Sequence, residues 1–388
     1  MVALRVLTLS SLFPDNSRPR FGPFVERQTR ELAAYPDVDL RVVAPIGLPP
    51  MPIALHPHYK PLRGLPLRET WQGLDVYRPR FAHMPKTNGR FDGAALARAL
   101  VPLLHEIRAD FAFDVIDASY FFPDGPAAVS LGATFGVPVS IKARGSDIHF
   151  WGTAPGTRAQ ILNAAVKADG LLAVSAALKA DMVAMGMPAD KIRVHYTGVD
   201  LDHFVPVDRT AAKAKLGILG PLIVCAGNLL EAKGQRLVVD ALAQIKGATL
   251  VLIGKGPDRD VLEAKVAALG VDDRVRFTGS IDHADMAMWL AGADVMALAS
   301  ASEGLANVWI EAIACGTPVV ITDVGGAREV LDRPEAGRIV DRNGHAIASA
   351  IADLLASPSD QHAVRKAAER FTWSANSVAL YEHLKSLI

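Results

Sequence analysis

The chain has 388 residues, half of them apolar, with 41 basic and 41 acidic side chains and a mean hydropathy of +0.22. That length allows two domains of ordinary size, and the balance describes a globular protein with a large core rather than a disordered chain. Zero net charge without a basic–aromatic stripe argues against a nucleic-acid partner, and no run approaches the ~18–20 uncharged apolar residues of a membrane-spanning helix. The first apolar stretch, in MVALRVLTLSSLFP, follows a single arginine and precedes no small-residue cleavage site. It reads as a first buried strand rather than a secretion signal. Cys225 and Cys315 each lie in apolar surroundings and read as buried free thiols in a reducing cytoplasm.

Taken in order, Leu4 to Leu9 makes the first strand, with no G-x-G-x-x-G behind it, which disfavours a dinucleotide-binding dehydrogenase. Gly22-Pro23-Phe24-Val25 opens a helix through Ala34: the proline suits its first turn, and Gly22 would let a ligand approach the backbone. Leu40 to Ala44 is the second strand. Residues 41–100 then carry 9 basic against 3 acidic side chains, with seven prolines between Pro45 and Pro66. This segment suits contact with an anionic membrane or an anionic lipid-linked acceptor; the alternative is a solvated, irregular insertion. The bias extends to the halves: residues 1–200 have a net charge of +4 and residues 201–388 of −4.

A helix over about 93–107 and a short strand at 114–118 lead to Asp124-Gly125. The strand Val137 to Lys142 delivers Arg144-Gly145-Ser146-Asp147 at its carboxyl end, where open α/β sheets bind ligands. Ser175 reads as a helix cap, and Ile192 to Tyr196 as the last strand of this half. The alternation restarts at Leu222 to Ala226, followed by the loop 227–234 with Asn228 and Lys233, a helix over 235–244, and Gly254-Lys255-Gly256-Pro257 after the next strand. Val275 to Thr278 is a short strand. The order of elements predicts two Rossmann-like domains facing across a cleft, residues 1–203 with a returning C-terminal helix at 372–388, and residues 204–371.

The second half converges on Ser300 to Val320, SASEGLANVWIEAIACGTPVV. A strand precedes it, Gly316-Thr317-Pro318 stops its helix, and another strand follows, the pattern of a parallel crossover. With Gly304-Leu305-Ala306-Asn307 opening the helix, unpaired N–H groups and the positive dipole end suit a phosphate. Glu303 sits before that end, and Glu311 stands roughly 7 Å along the axis at ~1.5 Å rise per residue. Positions eight apart lie about 80° off a shared face, so the two carboxylates are separate hydroxyl acceptors rather than an acid/base pair. Trp289, Trp309 and Trp373 read as core, and Asp258-Arg259-Asp260 as a surface turn rather than a metal site.

These residues resemble a GT-B-fold retaining glycosyltransferase of family 4. The resemblance rests on Gly22-Pro23-Phe24-Val25, Arg144-Gly145-Ser146-Asp147, Val174-Ser175, Tyr196 to Asp200 with Phe204, Gly227 to Gly234 and Gly254 to Pro257. The E-x7-E from Glu303 to Glu311, Gly316 to Val320 and Gly325-Gly326 complete it. It implies that the C-terminal half binds a nucleotide-diphosphate sugar (a UDP- or GDP-sugar) and the N-terminal half a glycan or lipid-linked acceptor. Glu311 would then accept from the ribose, and Glu303 would approach the sugar with the backbone of Gly304, Leu305 and Ala306, beside Asn307. Lys233 would neutralise the diphosphate, helped by Gly22 and by the loops at Asn228 and Gly254, while Val275 and Phe277 flank the base. On the acceptor side it implies Gly22, Asp124, Gly125, Arg144 and Asp147.

Two positions depart from the family pattern. Asn228 stands where many members have arginine and supplies no charge. Arg144 stands where many have histidine and can act as an electrostatic clamp, not as a base; Asp147 is either a ligand contact or its ion-pair partner. The resemblance implies no cofactor, no metal and no protein nucleophile, and a place in cell-surface polysaccharide or glycolipid assembly, cytoplasmic and peripheral on the inner membrane face. The rivals are an epimerase or hydrolase on the same fold, which would need an acid/base residue near the sugar, and a non-catalytic nucleotide-sugar-binding subunit.

Overall fold

The computed structural model describes residues 3–388. They divide into two compact units, one running to Gly198 and resuming at Trp373–Ile388, the other Val199–Thr372. The crossing points sit at 198/199 and 372/373 because the two connecting segments are paired. Val199 donates its N–H to Phe371 O at 2.7 Å and bridges Thr372 in parallel, so both segments belong to the second unit.

The first unit contains strands β1 (Leu4–Leu9), β2 (Val38–Val43), β3 (Ile46–Leu48), β4 (Arg68–Trp71) and β5 (Leu74–Tyr77). It continues with β6 (Arg80–Ala82), β7 (Val115–Ala118), β8 (Val139–Ala143), β9 (Gly170–Ala173) and β10 (Ile192–Val194). Eight form one sheet in the order β10-β9-β8-β7-β1-β2-β5-β4, parallel except for the β4–β5 hairpin. β7, β8 and β9 are buried at every position, the signature of parallel strands covered on both faces. Segment 41–100 is more regular than an irregular insertion: β5 lies parallel to β2, and β3 pairs with β6. Leu74 and Val76 are buried on β5, and Ile46, Ala54 and Leu65 are buried within the proline-rich part itself.

The C-terminal helix Trp373–Lys385 belongs to this first unit. Leu380 and Leu384 pack with Leu4, Val6 and Leu40, and Tyr381 stacks on Tyr35 at 4.7 Å while donating to Asp37. Burying each leucine is worth about 1.5–3 kcal/mol, which holds the returning helix in place.

The second unit is a six-stranded parallel sheet: β11 (Leu222–Ala226), β12 (Thr249–Ile253), β13 (Val275–Gly279), β14 (Val295–Leu298), β15 (Val319–Thr322) and β16 (Gly337–Val340). Its order is β13-β12-β11-β14-β15-β16, so the direction of winding reverses between β11 and β14. In the first unit the reversal falls between β1 and β7. Loops leaving the carboxyl ends of strands diverge at such points and open a crevice for ligand. The topology thereby selects the loops after β11 and β14 in one unit and after β1 and β7 in the other.

Candidate active site

The loops 227–234 and 299–306 leave β11 and β14 at that reversal. Lys233 Nζ lies 2.5 Å from Glu303 Oε1, and Ser300 Oγ donates to the same oxygen at 2.7 Å. Both partners are largely enclosed, with 26% and 11% of their side chains exposed. Backbone contacts set the spacing. Gly234 has φ +72°, and a Cβ there would stand 2.1 Å from Ala299 O; Ala301 N–H donates to Ala232 O at 2.7 Å. Arg342, just beyond β16, ties the two loops from outside, Nε to Ala299 O at 2.9 Å and an Nη to Glu231 O at 3.0 Å.

The helix behind Glu303 runs Asn307–Ala314, so Gly304, Leu305 and Ala306 precede it rather than open it, a correction to the sequence reading. Gly304 O accepts from Gly326 N–H at 2.9 Å, which draws the chain extended ahead of the first turn. No side chain caps that end, so its leading N–H groups carry the positive end of the dipole. Glu311, the fifth residue of the helix, lies 3.4 Å from His283 Nε2 at the start of another helix, His283–Gly292. The two glutamates thus have different partners. Trp309 is fully buried in the same helix. Val275 and Phe277 are half-buried on β13, an edge strand, where the Arg259 guanidinium covers the Phe277 ring at 4.2 Å. Asn228 is exposed, with its carbonyl held by Gln235 Nε2 at 2.9 Å. Gly254 gives its N–H to Gly279 O at 2.9 Å, so its amide joins two loops. Asp258 pairs with Arg236 at 3.2 Å.

In the first unit, Gly22 caps the helix Pro23–Ala33 in the left-handed region, pressed against Leu12 O. Phe24, one residue into that helix, carries the Arg144 guanidinium 4.9 Å over its ring. Arg144 Nε donates to Ser119 O at 2.8 Å and one Nη to Gln28 Oε1 at 3.4 Å, while the other buried Nη has no hydrogen-bond partner. Burial pulls Arg144 down to about 10, which leaves it cationic at neutral pH. Gln28 Oε1 also accepts from Lys142 Nζ at 2.8 Å, and Lys142 donates to His195 Nδ1 at 2.7 Å. His195 Nε2 faces the Asn376 carbonyl at 2.8 Å, so Nε2 carries the proton and Nδ1 accepts. Burial drives both Lys142 and His195 below their ordinary values.

The profile of the family described as Glycosyltransferase Family 4 matches residues 24–203, and that of Glycosyl transferases group 1 matches residues 208–371. Together they span nearly the whole chain. The chain is a family 4 glycosyltransferase of the GT-B fold. It is 32% identical over 263 residues to a D-inositol 3-phosphate glycosyltransferase of Jonesia denitrificans, a match covering 60% of this chain and 62% of that protein. The chain thus aligns with less than two thirds of that relative's length. A putative teichuronic acid biosynthesis glycosyltransferase of Bacillus subtilis, TuaC, is 26% identical over 358 residues, 90% of this chain and 88% of its own. Among solved structures, Anabaena HepE in complex with UDP superimposes with a TM-score of 0.77 at 20% identity, over 99% of this chain and 100% of its own.

Three residues that the sequence reading gave to the acceptor side of this glycosyltransferase are interior scaffold instead. Asp147 is fully buried, accepting the backbone N–H groups of Phe121, Arg144 and Gly145 at 2.8–2.9 Å. It is neither a surface contact nor a side-chain partner of Arg144: it fixes the turn that carries Arg144. Asp124 accepts from Ser11 N–H at 2.8 Å, tying the loop after β1 to the start of the helix Asp124–Phe135 after β7, and burial pushes it up to about 7. Gly125 is enclosed by Ile141 and Phe121. Sequence reasoning missed His283, Arg342, Lys142, Gln28 and His195. Each acts through a contact distant in sequence; only Lys142, a lone cation inside an apolar strand, gave a signal.

Proposed function

We propose that this glycosyltransferase moves a sugar, with retention of anomeric configuration, from a UDP- or GDP-sugar to a hydroxyl of a glycan or lipid-linked acceptor. The second unit takes the donor and the first the acceptor. The observation that carries the reading is the Lys233–Glu303 pair at the reversal of the sheet, beside the uncapped end of Asn307–Ala314. A permanent cation and free N–H groups there suit a diphosphate, and would stabilise the charge that develops on it as the glycosidic bond breaks. Glu303 with the backbone of Gly304, Leu305 and Ala306 attends the sugar, Glu311 the ribose, and Val275 and Phe277 the base. Gly22 offers backbone, and Arg144 offers charge rather than a base. The leaving phosphate oxygen takes the acceptor proton, so the protein's part is orientation and charge stabilisation. Lys233 supplies charge without a metal, and EDTA should leave the rate unchanged.

UDP in HepE supports a nucleotide-linked donor, and the teichuronic acid in the name of the second relative supports a polysaccharide product. Exposed Met51, Ile53 and Leu55 near Lys60, Arg63 and Arg68 support peripheral contact with the inner membrane face; no described helix is long and apolar enough to cross a membrane. Flotation with anionic vesicles at low salt tests that part, and a protein that stays behind refutes it. The main test is thermal-shift screening against UDP-, GDP- and ADP-sugars, since a donor that binds only the folded state raises Tm. NMR of the product then reads the anomeric configuration. An inverted linkage overturns retention, and free nucleotide released at full rate without acceptor marks a hydrolase.

A further inference from the structure

On the second unit, at the opposite rim of the sheet from Lys233 and Glu303, a cavity of about 480 Å³ opens at the amino ends of β11, β14 and β15. Ligand pockets of roughly 300–1,000 Å³ hold small molecules. Its walls are chiefly apolar, with Ile218, Leu219, Pro221, Pro318 and Leu354 among them, and two cations, Arg209 and Lys213, stand at its polar side. Lys213 is committed: its Nζ lies 2.5 Å from Asp294, whose carboxylate also accepts from Leu222 N–H at 2.7 Å. Arg209 is not. One Nη donates to Gly316 O at 3.0 Å, Nε is buried with no hydrogen-bond partner, and none of the described carboxylates lies within ion-pair distance of it. The Arg209 guanidinium lines the cavity, and its planar fork fits the two oxygens of a carboxylate. One uncommitted positive charge matches one negative charge, and a dianionic phosphate would also stand close to Asp294 among apolar walls.

We propose that this cavity binds a small apolar monocarboxylate, its carboxylate on Arg209 and its hydrocarbon body against Ile218, Leu219 and Leu354. The site is separate from the donor-binding loops, and Gly316, held by Arg209, follows the helix that carries Glu311. An occupant therefore bears on the back of the donor site without entering it.

Calorimetric titration of the full chain with octanoate, kept below its micelle concentration, tests this. The comparison ligands are octanol, with the same chain and no charge, and inorganic phosphate, with charge and no chain. One octanoate per chain should bind, with no comparable heat from octanol or phosphate. Arg209→Gln should weaken binding about tenfold or more. Leu219→Asp, at a residue 90% exposed and therefore safe for folding, should do the same by placing a like charge at the rim. Unliganded melting curves confirm that both variants fold. No binding at millimolar octanoate, equal binding of octanol, tighter binding of phosphate, several octanoates per chain, or affinity unchanged in Leu219→Asp each overturns the proposal.

Discussion

Lys233 Nζ donates to Glu303 Oε1 across 2.5 Å, although 70 positions separate the two residues in the chain. The reversal of strand order between β11 and β14 makes that pairing possible, because it aims both loops over one edge of the sheet. The pair acts as a unit: Glu303 fixes the ammonium, and the ammonium fixes the carboxylate beside the helix end. Lys233→Met and Glu303→Gln should each lower kcat by about 10²–10³-fold, the range for loss of one preorganised group at a developing charge. The double variant should be little worse than either single one. Steady-state kinetics of the three variants measures this, and losses that multiply would mean the two side chains act independently.

Glu311 predicts a different kinetic signature. It sits one turn into its helix and shares no partner with Glu303. A carboxylate that holds the ribose in both ground and transition states contributes uniform binding. Glu311→Gln should therefore raise the donor KM about tenfold while kcat stays within about twofold, the loss of one charge-assisted hydrogen bond. A 2′,3′-dideoxy donor should show the same weakening in the parent enzyme and no further weakening in the variant. A fall in kcat at unchanged KM would move Glu311 to the reacting centre.

Strand positions were the most legible part of the sequence. Leu222–Ala226 reads as an uninterrupted apolar run and Leu4–Leu9 as a largely apolar one broken by Arg5 and Thr8; both fold as parallel strands, which need apolar residues on both faces. Gln235–Gln244 and the Ser175 cap, whose Oγ accepts from Leu178 N–H at 3.0 Å, likewise follow local rules. Glu303 was visible as a polar residue after a strand and Glu311 as one inside the helix that follows, the helix period alone separated the two, and Lys233 stood out only through the family resemblance. Asp124 and Asp147 show where local reading stops. A carboxylate just after a parallel strand looks like a ligand contact, yet both are buried and accept backbone N–H groups, Asp124 from Ser11 and Asp147 from Phe121 as well as from its own turn. Whether such a group faces solvent depends on loops packed over it, and no periodicity encodes that. Residues 41–100 were misjudged for the same reason: β5 is four residues long and is a strand because β2 lies beside it.

The closeness of the loops 227–234 and 299–306 makes Gly234 a sensitive point. Its φ of +72° costs an L-residue roughly 1–2 kcal/mol, and its missing Cβ is where Ala299 O already stands, 2.1 Å away. Relief requires moving either Lys233 or the strand end that leads to Glu303. Gly234→Ala should destabilise the protein by more than about 2 kcal/mol in urea unfolding and lower transfer as strongly as loss of Lys233. A variant of normal stability and activity would show that the loops are free to separate, and with them the proposed pairing.

Asp124 gives the clearest pH prediction. Burial raises it to about 7 in the folded protein, with the Asp147 charge adding to the rise, from an ordinary value of 3.8. Between those values the folded chain holds a proton that the unfolded chain releases, so stability falls as pH climbs through this window. The contribution is full below 3.8 and lost as pH rises through about 7. Asp117, raised to about 6, has the same sign. His383, lowered to about 4, and His195 have the opposite sign: their contributions are present above 6.5 and fade as pH falls. Those terms are common to the parent and to Asp124→Asn, and cancel in the difference between them. Asparagine resembles the protonated acid and keeps an oxygen for Ser11 N–H, so the variant should be no more stable than the parent near pH 4 and gain on it by pH 8. A rise of about three pKa units corresponds to roughly 4 kcal/mol, since each unit is about 1.4 kcal/mol. Urea unfolding of both proteins at the two pH values reads the difference directly, and a gap that does not change with pH would place Asp124 ionised in contact with water.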